Sequence, residues 1–227
     1  MRIAVISDVH GNAAALEAAL ADAGTVDAHW FLGDLVAHGP RPVECVRRVA
    51  GLPGLVAVRG NTDRYVLTSP PDPVMVPSFD WTRSRLSADD LAWLGSLPIE
   101  AVPVDGVLLV HASPGRDDGP GLDPHTPDTD LDRAFTASDA ALVLVGHTHH
   151  PDDRVLGDVR VVNPGSISLP RTSDAIARYA MLTDAEGEWT VEHRAAAYDR
   201  DSVLADLRSG DHPSADWLVE KLTTPWG

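Results

Sequence analysis

Cysteine is nearly missing from this 227-residue sequence, where Cys45 stands alone. One thiol makes no internal disulfide and cannot build a thiolate zinc site. Its setting in Pro42-Val43-Glu44-Cys45-Val46 reads as helical and assigns it to core packing. Lysine is equally scarce. Lys221 is the only one, so arginine carries the rest of the 18 cationic side chains against 34 Asp and Glu, a net charge of -16. Such a chain lacks the basic face that neutralises phosphates, which excludes an extended grip on nucleic acid. A small phosphate ester stays open, because bound cations supply positive charge locally. Long apolar runs are also missing, and none approaches membrane-spanning length. The N-terminus shows no basic segment followed by an apolar one, as a signal peptide would. The expectation is a cytoplasmic protein without membrane attachment; the sequence sets no oligomeric state.

What is present reads as one α/β domain over residues 1–227, with a helical tail from about residue 199. Hydrophobic residues at 44% and charged residues at 23% suit a soluble core of this size. Apolar runs at 2–6, 27–32 and 55–58 read as strands. Helical stretches at 12–22, with Asn12 as cap, and 41–50 separate them. That βαβαβ opening predicts parallel strands covered by helices. Residues 68–78 carry four prolines and read as a loop, and 80–95 as helix with Ser87 capping its second piece. Strands are predicted at 99–104 and 106–111 around an Asp105-Gly106 turn, a long loop at 112–129, a helix at 130–136 and a strand at 141–145. Short strands at 153–156, 158–162, 175–182 and 188–194, with turns at Gly157-Asp158 and Glu186-Gly187, read as an antiparallel half. Helices at 200–208 and 214–222 complete the tail.

Oxygen and nitrogen ligands follow five of the apolar runs. Asp8 and His10 follow Ile3-Ala4-Val5-Ile6-Ser7; Asp34 follows Phe31-Leu32-Gly33; Asn61 follows Val58-Arg59-Gly60. His111 follows Leu108-Leu109-Val110, and His147 and His149 follow Val145-Gly146. A buried strand that ends in such a residue delivers it to a sheet edge. One case is a common turn or cap residue; five in one chain suggest a shared site. Carboxylate, amide and imidazole without thiolate suit Mn²⁺, Fe or Zn²⁺. A pair of ions needs a bridging carboxylate, and Asp34 is the natural candidate because it stands alone after its strand. Two ions roughly 3.5–4 Å apart would activate a bridging hydroxide and clamp both oxygens of a displacement at phosphorus.

The order Asp-x-His, Gly-Asp, Gly-Asn, His, Gly-His-x-His resembles the calcineurin-like binuclear metallophosphoesterases, in particular their compact bacterial and archaeal phosphodiesterase group. The stretches Gly33 to Pro42 and Asn163 to Arg171 add to the likeness, which weakens after about Tyr198. The resemblance implies a four-layer α/β/β/α sandwich with two mixed sheets. It implies two divalent metal ions, Mn²⁺ first and Fe, Zn²⁺, Ni²⁺ or Mg²⁺ as alternatives. One ion would take Asp8, His10, Asp34 and His149; the other Asp34, Asn61, His111 and His147.

Two departures bear on chemistry. The family places a phosphate-contacting histidine after the asparagine, where this chain reads Gly60-Asn61-Thr62-Asp63. A threonine hydroxyl donates one hydrogen bond but is no general acid near neutral pH, a role worth about 10²–10⁴ in rate. His38 stands where relatives often carry tyrosine, and is the candidate to reach the leaving-group oxygen in its place. Arg171 either contacts substrate phosphate or fixes its loop. Asp63 either orients the ligands or caps a helix. Asn163 and Gly165-Ser166 are expected to turn beneath Gly146-His147. Trp81, Trp93 and Leu94 read as core or cleft wall, and Asp117, Asp118, Asp123, Asp128 and Asp130 as a solvated loop face or an acidic lid. His150 is expected in solvent; His29, His125, His193 and His212 read as surface or packing residues. The function expected is hydrolysis of a small phosphodiester, nucleotide-derived ones included. The alternatives are a non-catalytic protein-binding scaffold on the same fold, or a phosphomonoesterase or protein phosphatase.

Overall fold

The structure is a computed structural model that describes residues 1–136, 138–172, 174, 176–185 and 188–224. Among these residues the chain forms ten strands in two five-stranded mixed sheets, with eight α-helices. The first sheet runs β10 (Glu188–Ala196), β9 (Ala177–Ala185), β1 (Arg2–Ile6), β2 (Ala28–Phe31), β3 (Leu55–Ala57). The second runs β4 (Glu100–Val104), β5 (Val107–Val110), β6 (Leu142–Leu144), β8 (Val159–Asn163), β7 (Asp152–Leu156). The pairs β1–β2, β2–β3, β5–β6 and β6–β8 are parallel, so their carboxyl ends lie along one edge of each sheet.

Alternation along the strands sorts the apolar side chains into layers. Ile3 and Val5 of β1 meet Leu109 of β5 and Leu144 of β6 between the sheets. Ala4 and Ile6 turn the other way, toward α1 (Ala13–Ala23) and α2 (Pro42–Ala50). Val143 and Val161 face Leu131 and Phe135 of α6 (Asp128–Phe135) on the far side of the second sheet. Three apolar layers therefore separate four structural ones, as the α/β/β/α expectation requires.

Local signals set the helix starts. Asn12 Oδ1 accepts the Ala15 N–H at 3.1 Å and Pro42 occupies the first turn of α2. Ser87 and Asp90 form a capping box at α5 (Ala88–Ser96). Three expectations are corrected. The proline-rich 68–78 segment is not all loop: it contains a 3₁₀ turn at Pro73–Met75, and α4 (Val76–Arg85) begins inside it with Pro77 in its first turn. Residues 61–67, given no element from sequence, form α3 (Asn61–Leu67). The antiparallel half does not exist as a unit. β7 and β8 extend the second sheet, β8 pairing parallel to β6, while β9 and β10 cross to the first, where β9 lies antiparallel to β1. Gly187 and Glu186, the expected turn between β9 and β10, and residue 175 at the expected start of β9 lie outside the described residues.

The tail forms α7 (Arg200–Ser209) and α8 (Ala215–Thr223), which bury Leu204, Leu207, Leu218 and Leu222 together over Leu169. No helix among the described residues is long and apolar enough to cross a membrane.

Candidate metal centre

Every expected ligand leaves the carboxyl end of a strand. Asp8 and His10 follow β1, Asp34 follows β2, Asn61 opens α3 after β3, His111 follows β5, and His147 and His149 follow β6. Six non-glycine residues adopt positive φ among those described, and five are these ligands: Asp8 (55°), His10 (46°), Asp34 (58°), His147 (68°) and His149 (63°). The sixth is Ala37 (109°). Left-handed backbone costs an L-residue about 1–2 kcal/mol and persists only where the surroundings enforce it. Here they do. Asp8 and His10 N–H donate to the Gly33 and Asp34 carbonyls, both at 3.0 Å. Ser166 Oγ donates to the Asp8 carbonyl at 2.9 Å, and Asn163 Nδ2 donates to the Gly146 carbonyl at 2.7 Å, so the 163–166 turn does lie beneath Gly146-His147.

The side chains gather in two groups. In one, His149 Nε2 lies 3.2 Å from Asp8 Oδ1 and 3.1 Å from His10 Nε2, which is 3.8 Å from Asp34 Oδ2. In the other, His111 Nε2 lies 3.3 Å from Asp34 Oδ1 and 3.1 Å from Asn61 Oδ1, which is 3.0 Å from His147 Nδ1. Asp34 thus turns one carboxylate oxygen to each group.

The hydrogen bonds behind the rings show what the groups can hold. His149 Nδ1 faces the Leu169 carbonyl at 2.9 Å and His111 Nδ1 faces the Leu32 carbonyl at 2.6 Å. A carbonyl only accepts, so each Nδ1 carries a proton and each ring, when neutral, presents an Nε2 lone pair to the site. Those lone pairs point at carboxylate and amide oxygens. Acceptor faces acceptor, an arrangement stable only with a cation between them, either a proton or a metal ion. Divalent ions fit this donor set.

The electrostatics agree. Burial opposes a charge on His111, but Asp34 beside it outweighs burial and lifts its pKa to about 10. Burial raises Asp34, yet His111 and the other histidines hold it below the usual carboxylate range. His10 falls to about 4, chiefly through burial, and burial with His111 also lowers His147.

Asp63, read from sequence as either an orienting group or a helix cap, does both. Its Oδ2 accepts the N–H groups of Asp34 (2.9 Å) and Gly60 (3.0 Å), and its Oδ1 those of Leu35 (2.8 Å) and Val36 (3.3 Å). It both caps α3 and holds the Asp34 loop. An acidic residue three positions after Gly60 was the sequence signal, a capping-box spacing. Thr62 lies beside the ligands, but its hydroxyl donates to the Val36 carbonyl at 3.0 Å and its N–H to Asp34 Oδ1 at 2.8 Å. His38 stands half-buried at the rim with its ring 4.8 Å from that of His10. Arg171 is exposed and lines the same cavity of about 170 Å³.

Some expectations outside the cluster need correction. Asp117 is not solvated: it is buried between Arg59 and Arg64, at 3.2 and 2.8 Å. His150 is half-buried near Asp123, with His125 as a ring neighbour. His29 and His212 are buried, in keeping with packing roles, and His193 Nε2 donates to the Asn163 carbonyl at 2.9 Å. Trp93 packs on the core, whereas Trp81 leaves it to bond Asp211 in the tail.

Known proteins resemble this chain in sequence and fold. A metallophosphoesterase structure from Sphaerobacter thermophilus superposes with a TM-score of 0.84 at 33% identity, covering 99% of each chain. The phosphodiesterase YfcE of Escherichia coli is 28% identical over 80% of this chain and 87% of its own. An uncharacterised protein of Methanocaldococcus jannaschii is 28% identical over 97% and 96%. The pattern of the calcineurin-like phosphoesterase superfamily domain matches residues 1–187. With that pattern over most of its length and the fold to match, the chain belongs to the calcineurin-like phosphoesterase superfamily.

Proposed function

We propose that this protein is a metal-dependent phosphodiesterase acting on small phosphodiesters. The observation that carries the reading is the acceptor-to-acceptor packing around Asp34, which only a cation reconciles. Asp8, His10, Asp34 and His149 would hold one divalent ion and Asp34, Asn61, His111 and His147 a second, with Asp34 shared. Bound divalent ions supply Lewis acidity and lower the pKa of water toward neutrality. The likeness to a phosphodiesterase at 28% identity supports the ester class.

The chain's own residues shape the rest. Arg171 at the mouth offers a guanidinium fork to a phosphoryl oxygen. With its hydroxyl turned to Val36, Thr62 contributes position rather than a proton. His38 lies well below its ordinary pKa, through burial first and then His10, so at neutral pH it is a neutral ring. It can donate a hydrogen bond to a leaving oxygen but holds no spare proton there. This selects esters whose leaving group departs without full protonation.

The test is hydrolysis of bis-(p-nitrophenyl) phosphate after EDTA treatment, then with Mn²⁺, Fe²⁺, Zn²⁺, Ni²⁺ or Mg²⁺ restored. Activity should return with metal in the natural protein and fall by about a hundredfold or more in Asp34→Asn. Wild-type protein inert toward every ester with every metal would point instead to a protein-binding scaffold.

A further inference from the structure

Beside the ligand cluster opens a larger cleft of about 510 Å³, lined by Val74, Met75, Pro213, Ser214, Asp216 and Trp217 with His38 at its inner end. His38, Met75 and Trp217 also line the ligand cavity, so the two spaces share a wall. The His38 ring lies 4.8 Å from that of His10 and 5.5 Å from that of Trp217. The cleft therefore adjoins the place where a phosphoryl group would sit. Two large apolar side chains line it in the open, Val74 at 84% exposure and Trp217 at 40%. Exposed apolar groups clustered beside a polar site mark binding surface.

The outer wall is held firmly. Trp81 Nε1 donates to Asp211 Oδ1 at 2.9 Å, Arg85 pairs with the same oxygen at 2.6 Å, and the Trp81 and His212 rings meet at 4.4 Å. α8 follows at once, locked to α7 by Leu218 and Leu222. This wall lies beyond residue 187, outside the stretch that the family pattern matches.

No lysine or arginine is among the described residues lining the cleft, and Asp216 would repel a second phosphate. Ser78 on its floor gives its hydroxyl to the Ala37 carbonyl at 3.1 Å and offers little to a polar arm. A methyl ester would leave most of the volume unfilled. We infer that the cleft is the subsite for one ester arm of the substrate, and that this arm is a neutral planar ring, an aryl group or a nucleobase, stacked on Trp217. The inference rests on the phosphoesterase reading above.

The test uses full-length protein, Trp217→Ala and Trp217→Phe, with methyl, phenyl, thymidine-5′ and choline esters of p-nitrophenyl phosphate, which share one leaving group. The kcat/KM preference for phenyl over methyl should fall about tenfold in Trp217→Ala and largely survive in Trp217→Phe, whose ring still stacks. Independently of turnover, the Trp217 indole N–H resonance, identified by its loss in both variants, should shift with phenylphosphonate and not with methylphosphonate. An unchanged preference with a silent indole overturns the proposal. So does preference for the choline ester that depends on Trp217, which would make the arm cationic. An indole that responds to the ring while no ester is hydrolysed with any metal keeps the cleft and removes the phosphodiesterase reading.

Discussion

His111 is buried with Asp34 Oδ1 3.3 Å from its Nε2, and without metal a proton settles that contact. Its folded pKa of about 10 exceeds the ordinary 6.5. Protonation therefore stabilises the metal-free fold fully below about pH 6.5, and that contribution is lost as pH rises toward 10. Asp63, raised to about 7 by burial and then by Asp34, slopes the same way from about pH 4 to 7. A divalent ion would replace the His111 proton and remove the alkaline part of the slope. In EDTA, the melting temperature should fall by roughly 5 °C or more between pH 6.5 and 9.5, and much less with saturating Mn²⁺. Calorimetry that gave parallel slopes with and without metal would refute an ion beside His111. The sequence showed which residues could ligate, and it showed a threonine where a histidine was expected. It could not show that the Thr62 hydroxyl turns inward to Val36, because a rotamer depends on neighbours 26 positions away.

Between elements, α3 fits closely against the loop after β2. A Cβ built on Gly60 would lie 2.1 Å from Asp34 Oδ1 and 2.2 Å from Asp34 N. Gly60 has φ of -91°, so the demand is for space and not for left-handed backbone. Gly60→Ala should displace Asp34, weaken metal binding about tenfold or more and cost on the order of 1–3 kcal/mol. Titration calorimetry and urea unfolding check the two parts, and an unchanged affinity would show that the loop yields freely. Elements with their own periodicity, such as β1 and α1, were legible in sequence. α3 was not, because its seven residues are short and follow the β3 strand through only Val58, Arg59 and Gly60. The split of β7–β10 between two sheets was equally hidden. Hairpin turns record local pairing, whereas the parallel β6–β8 and antiparallel β1–β9 contacts join distant segments.

At the scale of the molecule, a net charge of -16 acts on any anion that approaches, and the two proposed divalent ions would offset only four of those charges. At low ionic strength, where the Debye length is about 30 Å, a multiply charged substrate meets that field; at 0.15 M it is screened to about 8 Å. Raising salt over this range should increase kcat/KM several-fold for a dinucleoside polyphosphate and change it little for bis-(p-nitrophenyl) phosphate. Equal salt responses would mean that a local positive field at the site outweighs the surface. Composition gave this property directly, since net charge needs no fold to be read.

The candidate ligands are divided between the sheets: Asp8, His10, Asp34 and Asn61 come from the first, His111, His147 and His149 from the second. Each proposed ion site draws on both sheets. An ion bound here would be a rivet through the sandwich, closing loops such as those of 50 residues (Asn61 to His111) or 139 (His10 to His149) in one step. Its affinity would then gauge how well the two sheets seat against each other. A substitution deep in the shared core, such as at Leu109 or Val162, would be felt by the metal before any ligand was touched.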